Sequence, residues 1–157
     1  YIKVKLSSSR ASNVYDDLGY LRHCFKCGNR ELIKEYDRSE VCDICRNRFR
    51  LGGQVWISKL FDKNFIKRMA NYNLKTSNNG NYEHMNKLLS ICLDENDDIP
   101  YYFLVDEIAS KLKTSPLSVQ KVIEKLSAVG YRASKVSLNA RAFKTNARIN
   151  EILNLLR

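Results

Sequence analysis

The chain has 157 residues, 44% of them hydrophobic, which is enough for one ordinary domain or two small ones and excludes a disordered polypeptide. Twenty-seven Lys and Arg against seventeen Asp and Glu leave a formal charge of +10, an excess that favours a polyanionic partner, of which nucleic acid is the commonest, over a merely soluble basic surface. No apolar run approaches membrane-spanning length and no cleavable signal is visible, so no membrane partner is expected, and the expected compartment is the reducing cytoplasm.

Tyr1 to Leu6 reads as a strand, and a chain that opens inside an element without a methionine reads as a piece of something longer. Ser7 to Arg10 offers N-cap candidates for a helix with Val14 and Leu18 on its apolar side and Gly19 at its C-terminal cap. Tyr20 to His23 is a strand leading into four cysteines set as two pairs, Cys24-x-x-Cys27 and Cys42-x-x-Cys45, with fourteen residues between the pairs. Two residues between thiols let both face one ion from a tight turn, and the connection can run out and back as a hairpin with Glu31 to Tyr36 as one arm. Gly28 supplies the positive φ that such a turn often needs. The pattern points to a structural zinc held by Cys24, Cys27, Cys42 and Cys45, closed and without chemistry of its own. Two disulfides, another metal or unrelated thiols are the alternatives. Gly52-Gly53 breaks the chain before a strand from Gln54 to Ile57 whose Trp56 should be anchored.

From Phe61 the period becomes helical. Phe61, Phe65, Ile66 and Met69 share one face; Asn71 to Asn81 reads as a polar loop; Tyr82, Met85, Leu88, Leu89 and Cys92 make a second stripe with a buried fifth thiol. Asp94 to Asp98 reads as an acidic loop. Leu104, Ile108 and Leu112 mark a short helix, and Thr114-Ser115-Pro116 reads as cap and first position of the next helix. Val119, Val122, Ile123 and Leu126 line that helix, and Gly130 ends it. Tyr131 to Val136 is then a strand, and a last helix from about Ala147 packs Ile149, Ile152, Leu153 and Leu156. Two helices on a short turn followed by a strand resemble a winged helix. The expected fold is α+β: a zinc-ribbon-like hairpin on a small mixed sheet over residues 1–60, then a helical, winged-helix-like part over 61–157.

Between Glu124 and Glu151 there is no acidic residue, yet Lys125, Arg132, Lys135, Arg141, Lys144 and Arg148 fall there, interleaved with Ser134, Ser137, Asn139, Thr145 and Asn146. A basic wing of this kind suits phosphate contacts better than base reading. A second cluster around the cysteines includes Arg46 and Arg48, partly cancelled by Glu31, Glu35, Asp37, Glu40 and Asp43. The candidate RNA contacts are therefore Arg132, Lys135, Arg141, Lys144, Arg148, Arg46 and Arg48; solvated faces, or faces docking an acidic neighbour, are the alternative. No nucleotide-binding glycine loop is present, and no set of nucleophile, base and orienting group can be assembled.

The strings GYLRHCFKCGNRE (19–31), CDIC (42–45), LGGQVWISKLFDKNF (51–65), YYFLVDEIASKL (101–112) and GYRASKVSLNARAFKTNA (130–147) together resemble the C-terminal region of the tRNA (guanine-N2)-dimethyltransferase family. Cys24, Cys27, Cys42 and Cys45 match its cysteine-rich loop, Gly53 and Trp56 its Gly-Pro-Leu-Trp stretch, Ala133-Ser134 its Ala-Ser-Arg-Thr-His stretch, and Lys144-Thr145 its terminal Lys-Thr. Gln54, Val55 and Lys135 to Ser137 depart from it. The resemblance implies a tRNA-binding domain of a monomeric enzyme that methylates a guanine at tRNA position twenty-six. S-adenosylmethionine and the catalytic residues would belong to a Rossmann-type domain preceding this region. The rival is a transcription regulator pairing a zinc ribbon with a winged helix, although Pro116 to Val129 offers few long polar side chains to a major groove; a protein-docking scaffold is a third possibility.

Overall fold

The computed structural model describes residues 6–7, 11, 13–36, 41–75 and 82–157. The expected strand at Tyr1 to Leu6 lies outside them except for Leu6, which is exposed. A short 3-10 helix, Asn13–Asp17, precedes the first sheet. That sheet has the order β2-β1-β3, from β1 (Leu18–His23), β2 (Arg30–Ile33) and β3 (Arg50–Trp56). Both neighbours run antiparallel to β1, with His23 opposite Arg30 on one side and Arg50 on the other. This shared register puts the ends carrying the cysteine pairs at the same edge of the sheet.

The glycines of this sheet work differently from their expected roles. Gly19 is no helix cap: it is buried in β1, where a Cβ would lie 2.8 Å from the Ile33 carbonyl oxygen and 3.0 Å from Ile57. Gly52 and Gly53 lie inside β3 instead of breaking it. The register slips between Tyr20 and Leu21, whose partners are Gln54 and Gly52, so Gly53 is the extra residue of a bulge. Trp56 is anchored through its indole N–H, which donates to the Lys59 carbonyl at 3.2 Å.

The second half begins with α1 (Lys63–Lys75), which extends through residues expected as loop and packs on α2 (Tyr82–Asp94). Ile66 and Leu89 are the buried residues of their stripes, while Phe65, Met85 and Leu88 remain substantially exposed and Cys92 is only half-buried. Beyond Pro100 come β4 (Phe103–Leu104), α3 (Val105–Leu112), α4 (Val119–Ala128), β5 (Ala133–Val136), β6 (Asn139–Thr145) and α5 (Ile149–Leu156). The strands form a second antiparallel sheet of order β4-β6-β5. Phe103, Val105, Ile108, Val122, Leu126, Phe143, Ile149 and Ile152 make the core, with the Phe103 and Phe143 rings stacked at 5.8 Å.

Cap chemistry sets the helix ends. The Thr114 N–H is used to close α3 on the Ala109 carbonyl. Ser118 then caps α4 by accepting from the Lys121 N–H, so α4 starts at Val119, three residues beyond Pro116. Gly130 ends α4 as expected: its φ is +92°, its N–H donates to Ser127, and the Tyr131 N–H donates to Leu126. Arg148 precedes α5 with its N–H donating to Glu151 Oε2 at 2.6 Å.

The acidic loop is a buried polar hub. Glu95 and Lys144 are each 3% exposed, with Lys144 Nζ 2.8 Å from Glu95 Oε1, while the Ser137 N–H donates to Glu95 Oε2 and Lys63 Nζ to the Glu95 carbonyl. The Asn96 N–H donates to Ser134 Oγ at 2.9 Å. The pair ties the segment after α2 to β6 from inside. Replacing Lys144 by Met strands a buried carboxylate and should lower unfolding free energy by about 3–5 kcal/mol, whereas Lys144→Met with Glu95→Gln should recover much of the loss; urea denaturation of both variants measures this.

Candidate metal centre and nucleic-acid interface

Each cysteine pair forms the same backbone device. In the first, the Cys24 N–H donates to the Asn29 carbonyl (2.8 Å) and the Gly28 N–H returns to the Cys24 carbonyl (2.7 Å). In the second, Cys42 donates to Asn47 (2.8 Å) and Arg46 to Cys42 (2.9 Å). The residue after each pair is left-handed, Gly28 at φ +85° and Arg46 at φ +58°. The sequence carries the repeat openly, as Cys-x-x-Cys-x-Asn-Arg at 24–30 and again at 42–48. Sequence reasoning noted Gly28 but missed the repeated Asn-Arg and the left-handed Arg46.

The two knuckles bring the four Sγ atoms within 4.8 Å of one another. Cys24 and Cys45 approach to 3.4 Å and Cys27 and Cys42 to 3.6 Å. These are not disulfide distances, and all four thiols are unbridged. A tetrahedral zinc with bonds of about 2.3 Å places its sulfurs about 3.8 Å apart, so the cage fits such an ion with little adjustment. Asn29, 2% exposed, adds an N–H aimed at Cys42 Sγ (3.8 Å) while donating to Glu31 Oε1 (2.7 Å). Hydrogen bonds to sulfur favour its anionic form. Burial raises the Cys24 thiol, but the Cys27 backbone N–H and hydrogen bonds from Cys45 and Cys27 together bring it down to about 7. Burial, joined by neighbouring thiols, pushes Cys27 and Cys45 up. Ionisation is thus eased at Cys24 and opposed at Cys27 and Cys45, and a bound dication would favour the thiolate form of its ligands.

The centre is seated on the second half of the chain. Arg30 donates to Glu107 Oε2 at 2.7 Å and to the Gly28 carbonyl at 3.3 Å, with its guanidinium 4.7 Å from the Phe103 ring centroid. Arg148 pairs with Asp43 beside the second knuckle, and Cys27 and Ile44 pack on the core. His23 stays outside the ligand set: it stacks on Phe25 with centroids 4.4 Å apart, and burial followed by the charge of Arg30 lowers its pKa.

The basic residues separate into three groups. Lys144 is corrected: buried against Glu95, it is out of reach of a phosphate. Arg132, Arg141 and Arg148 lie on the surface, each paired with a carboxylate: Asp98 at 2.9 Å, Asp106 and Asp43 respectively. The partner arginine's hydrogen bond holds each of these three carboxyls below its ordinary pKa. Such exposed pairs are screened by water and contribute little, so a phosphate could displace the carboxylate with little penalty. Lys135, Arg46 and Arg48 are exposed.

Fold and site together define an α+β protein built around a closed four-thiol cage, with basic surface on both halves. The chain belongs to the N2,N2-dimethylguanosine tRNA methyltransferase family, whose model matches residues 1–157. It is 29% identical over 161 residues to a tRNA (guanine(26)-N(2))-dimethyltransferase of Methanothermobacter thermautotrophicus, covering 99% of this chain and 41% of that protein. A Sulfurisphaera tokodaii protein of the same description is 29% identical over 158 residues, covering 100% and 41%. A mitochondrial one from Saccharomyces cerevisiae is 24% identical over 174 residues, covering 94% and 30%. The chain thus spans about two-fifths of the length of the first two relatives. The solved structure of Trm1 from Pyrococcus horikoshii with S-adenosyl-L-methionine shares the fold, with a TM-score of 0.75 and 23% identity, over 96% of this chain and 38% of that one. No helix among the described residues is long and apolar enough to cross a membrane.

Zinc-loaded chain should carry one ion per molecule by elemental analysis, and Cys42→Ser should lose it. Loading the reduced apo-chain should release protons to a weakly buffered indicator; Cys42→Ser should release fewer.

Proposed function

We propose that this chain is the tRNA-gripping part of a tRNA (guanine-N2)-dimethyltransferase, in which a structural zinc braces a basic surface and methyl transfer is carried out by a preceding Rossmann-type domain. The family match along the whole chain carries this reading. It is supported by the surface placement of Arg132, Lys135, Arg141, Arg148, Arg46 and Arg48, each able to meet a phosphate. S-adenosylmethionine would bind the preceding domain, where the residues that handle the methyl group would also lie. The division into 1–60 and 61–157 separates the thiol cage and its sheet from the helical, winged-helix-like part, and the chain would act as a monomer in the reducing cytoplasm, where the thiols stay available to metal.

The physical logic is one of presentation. A guanine held in folded tRNA must be brought to an active site, and broad contacts to the backbone supply binding energy without reading sequence. Phosphate contacts weaken with salt because each releases counterions. The transcription-regulator alternative needs α4 in a major groove, yet its exposed long polar residues are few: Gln120, Lys121, Glu124 and Lys125.

In competition binding at matched salt, the metal-loaded chain should prefer tRNA to duplex DNA; a preference for duplex would transfer the assignment to a DNA-binding regulator. Arg132→Ala with Lys135→Ala should weaken tRNA binding and flatten its dependence on log salt by about 0.7–0.9 for each phosphate no longer neutralised. An unchanged slope would move the footprint off β5. The chain by itself should transfer no methyl group from S-adenosylmethionine to tRNA.

A further inference from the structure

Between the tip of the first knuckle and the segment leaving the second lies an open groove of about 620 Å³, lined by Phe25, Lys26, Arg48, Phe49, Arg50 and Leu51, with no acidic residue among the described residues of its wall. Phe25 is 66% exposed, an unusual position for a large apolar ring in a turn. It is not loose: the His23 ring backs it at 4.4 Å with a tilt of 38°. The ring of Phe49 is likewise braced, with the Arg22 guanidinium 5.0 Å from its centroid.

We propose that this groove is a stacking subsite for an unpaired RNA nucleotide, with Phe25 as the platform for the base and Lys26, Arg48 and Arg50 against the flanking phosphates. The inference rests on the proposed tRNA reading and names the feature of the RNA that this face takes. A base offers a π-face and its backbone offers negative charge every nucleotide, which is the combination of one braced aromatic and several cations seen here. A paired helix hides its base faces, so the ligand is a nucleotide outside a duplex. An apolar protein segment would find three cations and, among the described lining residues, no carboxylate to balance them. The wall is built from the first knuckle and from the segment that leaves the second, so it lies beside the thiol cage.

The test titrates the metal-loaded chain with a single-stranded RNA oligonucleotide carrying 2-aminopurine and, separately, with tRNA. The wild-type chain should quench the fluorophore. Phe25→Ala should abolish the quench and weaken the oligonucleotide about five- to a hundredfold, the loss expected for one deleted base–aromatic stack, with metal content unchanged. Phe25→Trp should restore both. If Phe25→Ala binds and quenches like wild type while tRNA binding persists, the subsite is wrong and the tRNA reading stands. If the wild-type chain binds neither RNA, both fall. An acidic peptide displacing the oligonucleotide at lower concentration than tRNA does would reassign the groove to a protein partner.

Discussion

Four side chains that would each carry a negative charge as metal ligands are held within 4.8 Å of one another, and a cation is what makes such a cluster stable when fully ionised. Among the described residues, the apolar packing of this part of the chain is thin. Cys24, Gly28, Asn29 and Cys42 are buried, but Phe25 and Tyr36 are largely exposed and Leu32 and Val41 partly so. A three-stranded sheet with so thin a core is marginal without a staple, and the thiol cage is that staple. Its position follows from register: His23 lies opposite both Arg30 and Arg50, so the two knuckles emerge at one edge and can close on a single point.

The cage in turn depends on the rest of the molecule through Arg30. This residue follows the first Cys-x-x-Cys-x-Asn and reaches Glu107 on α3 while lying over Phe103 in the main core. Gly28 fits against the same helix so closely that a Cβ would lie 2.7 Å from Lys111 Cε and 2.8 Å from Glu107 Oε1. Arg148 at the start of α5 binds the second knuckle through Asp43. The knuckles are thus oriented by groups from both ends of the second half, and the basic residues near the cysteines take a defined place relative to β5 and β6.

The α+β class, the cysteine cage and most helices of the last third were legible in the sequence because their signals are local. Spacing sets the knuckles, a 3.6-residue period marks α3 to α5, and Gly130 marks the end of α4. What was misread depended on distant partners. Gly19 looks like a cap until Ile33 and Ile57 are placed against it, and Gly52-Gly53 looks like a break until β1 supplies the strand opposite the bulge. Thr114-Ser115-Pro116 looks like the cap and first position of α4, but the Thr114 N–H is needed to finish α3 and the cap falls at Ser118. Glu95 and Lys144 lie far apart in sequence, each in a segment of ordinary surface composition, and only the packing of α2 on β5 buries them together. The Asn-Arg repeat after each cysteine pair was a local signal, and it was there to be found.

Burial sorts the basic residues of the wing by what they can still do. Lys144 has exchanged its hydration for a buried carboxylate, and drawing it out of that contact would leave the Glu95 charge unpaired in low dielectric, a penalty no exposed phosphate offsets. Arg132, Arg141 and Arg148 are placed the opposite way: each rests on a half-exposed aspartate that screens its charge while water still reaches both partners. Exchanging aspartate for phosphate there replaces one charge-assisted contact by another and frees the aspartate to water, so the exchange is close to neutral locally. The net gain then comes from the counterions that the polyanion sheds. A chain of charge +10 can in this way stay folded against its own repulsion and keep its guanidiniums available, because the carboxylates that restrain them are weakly held.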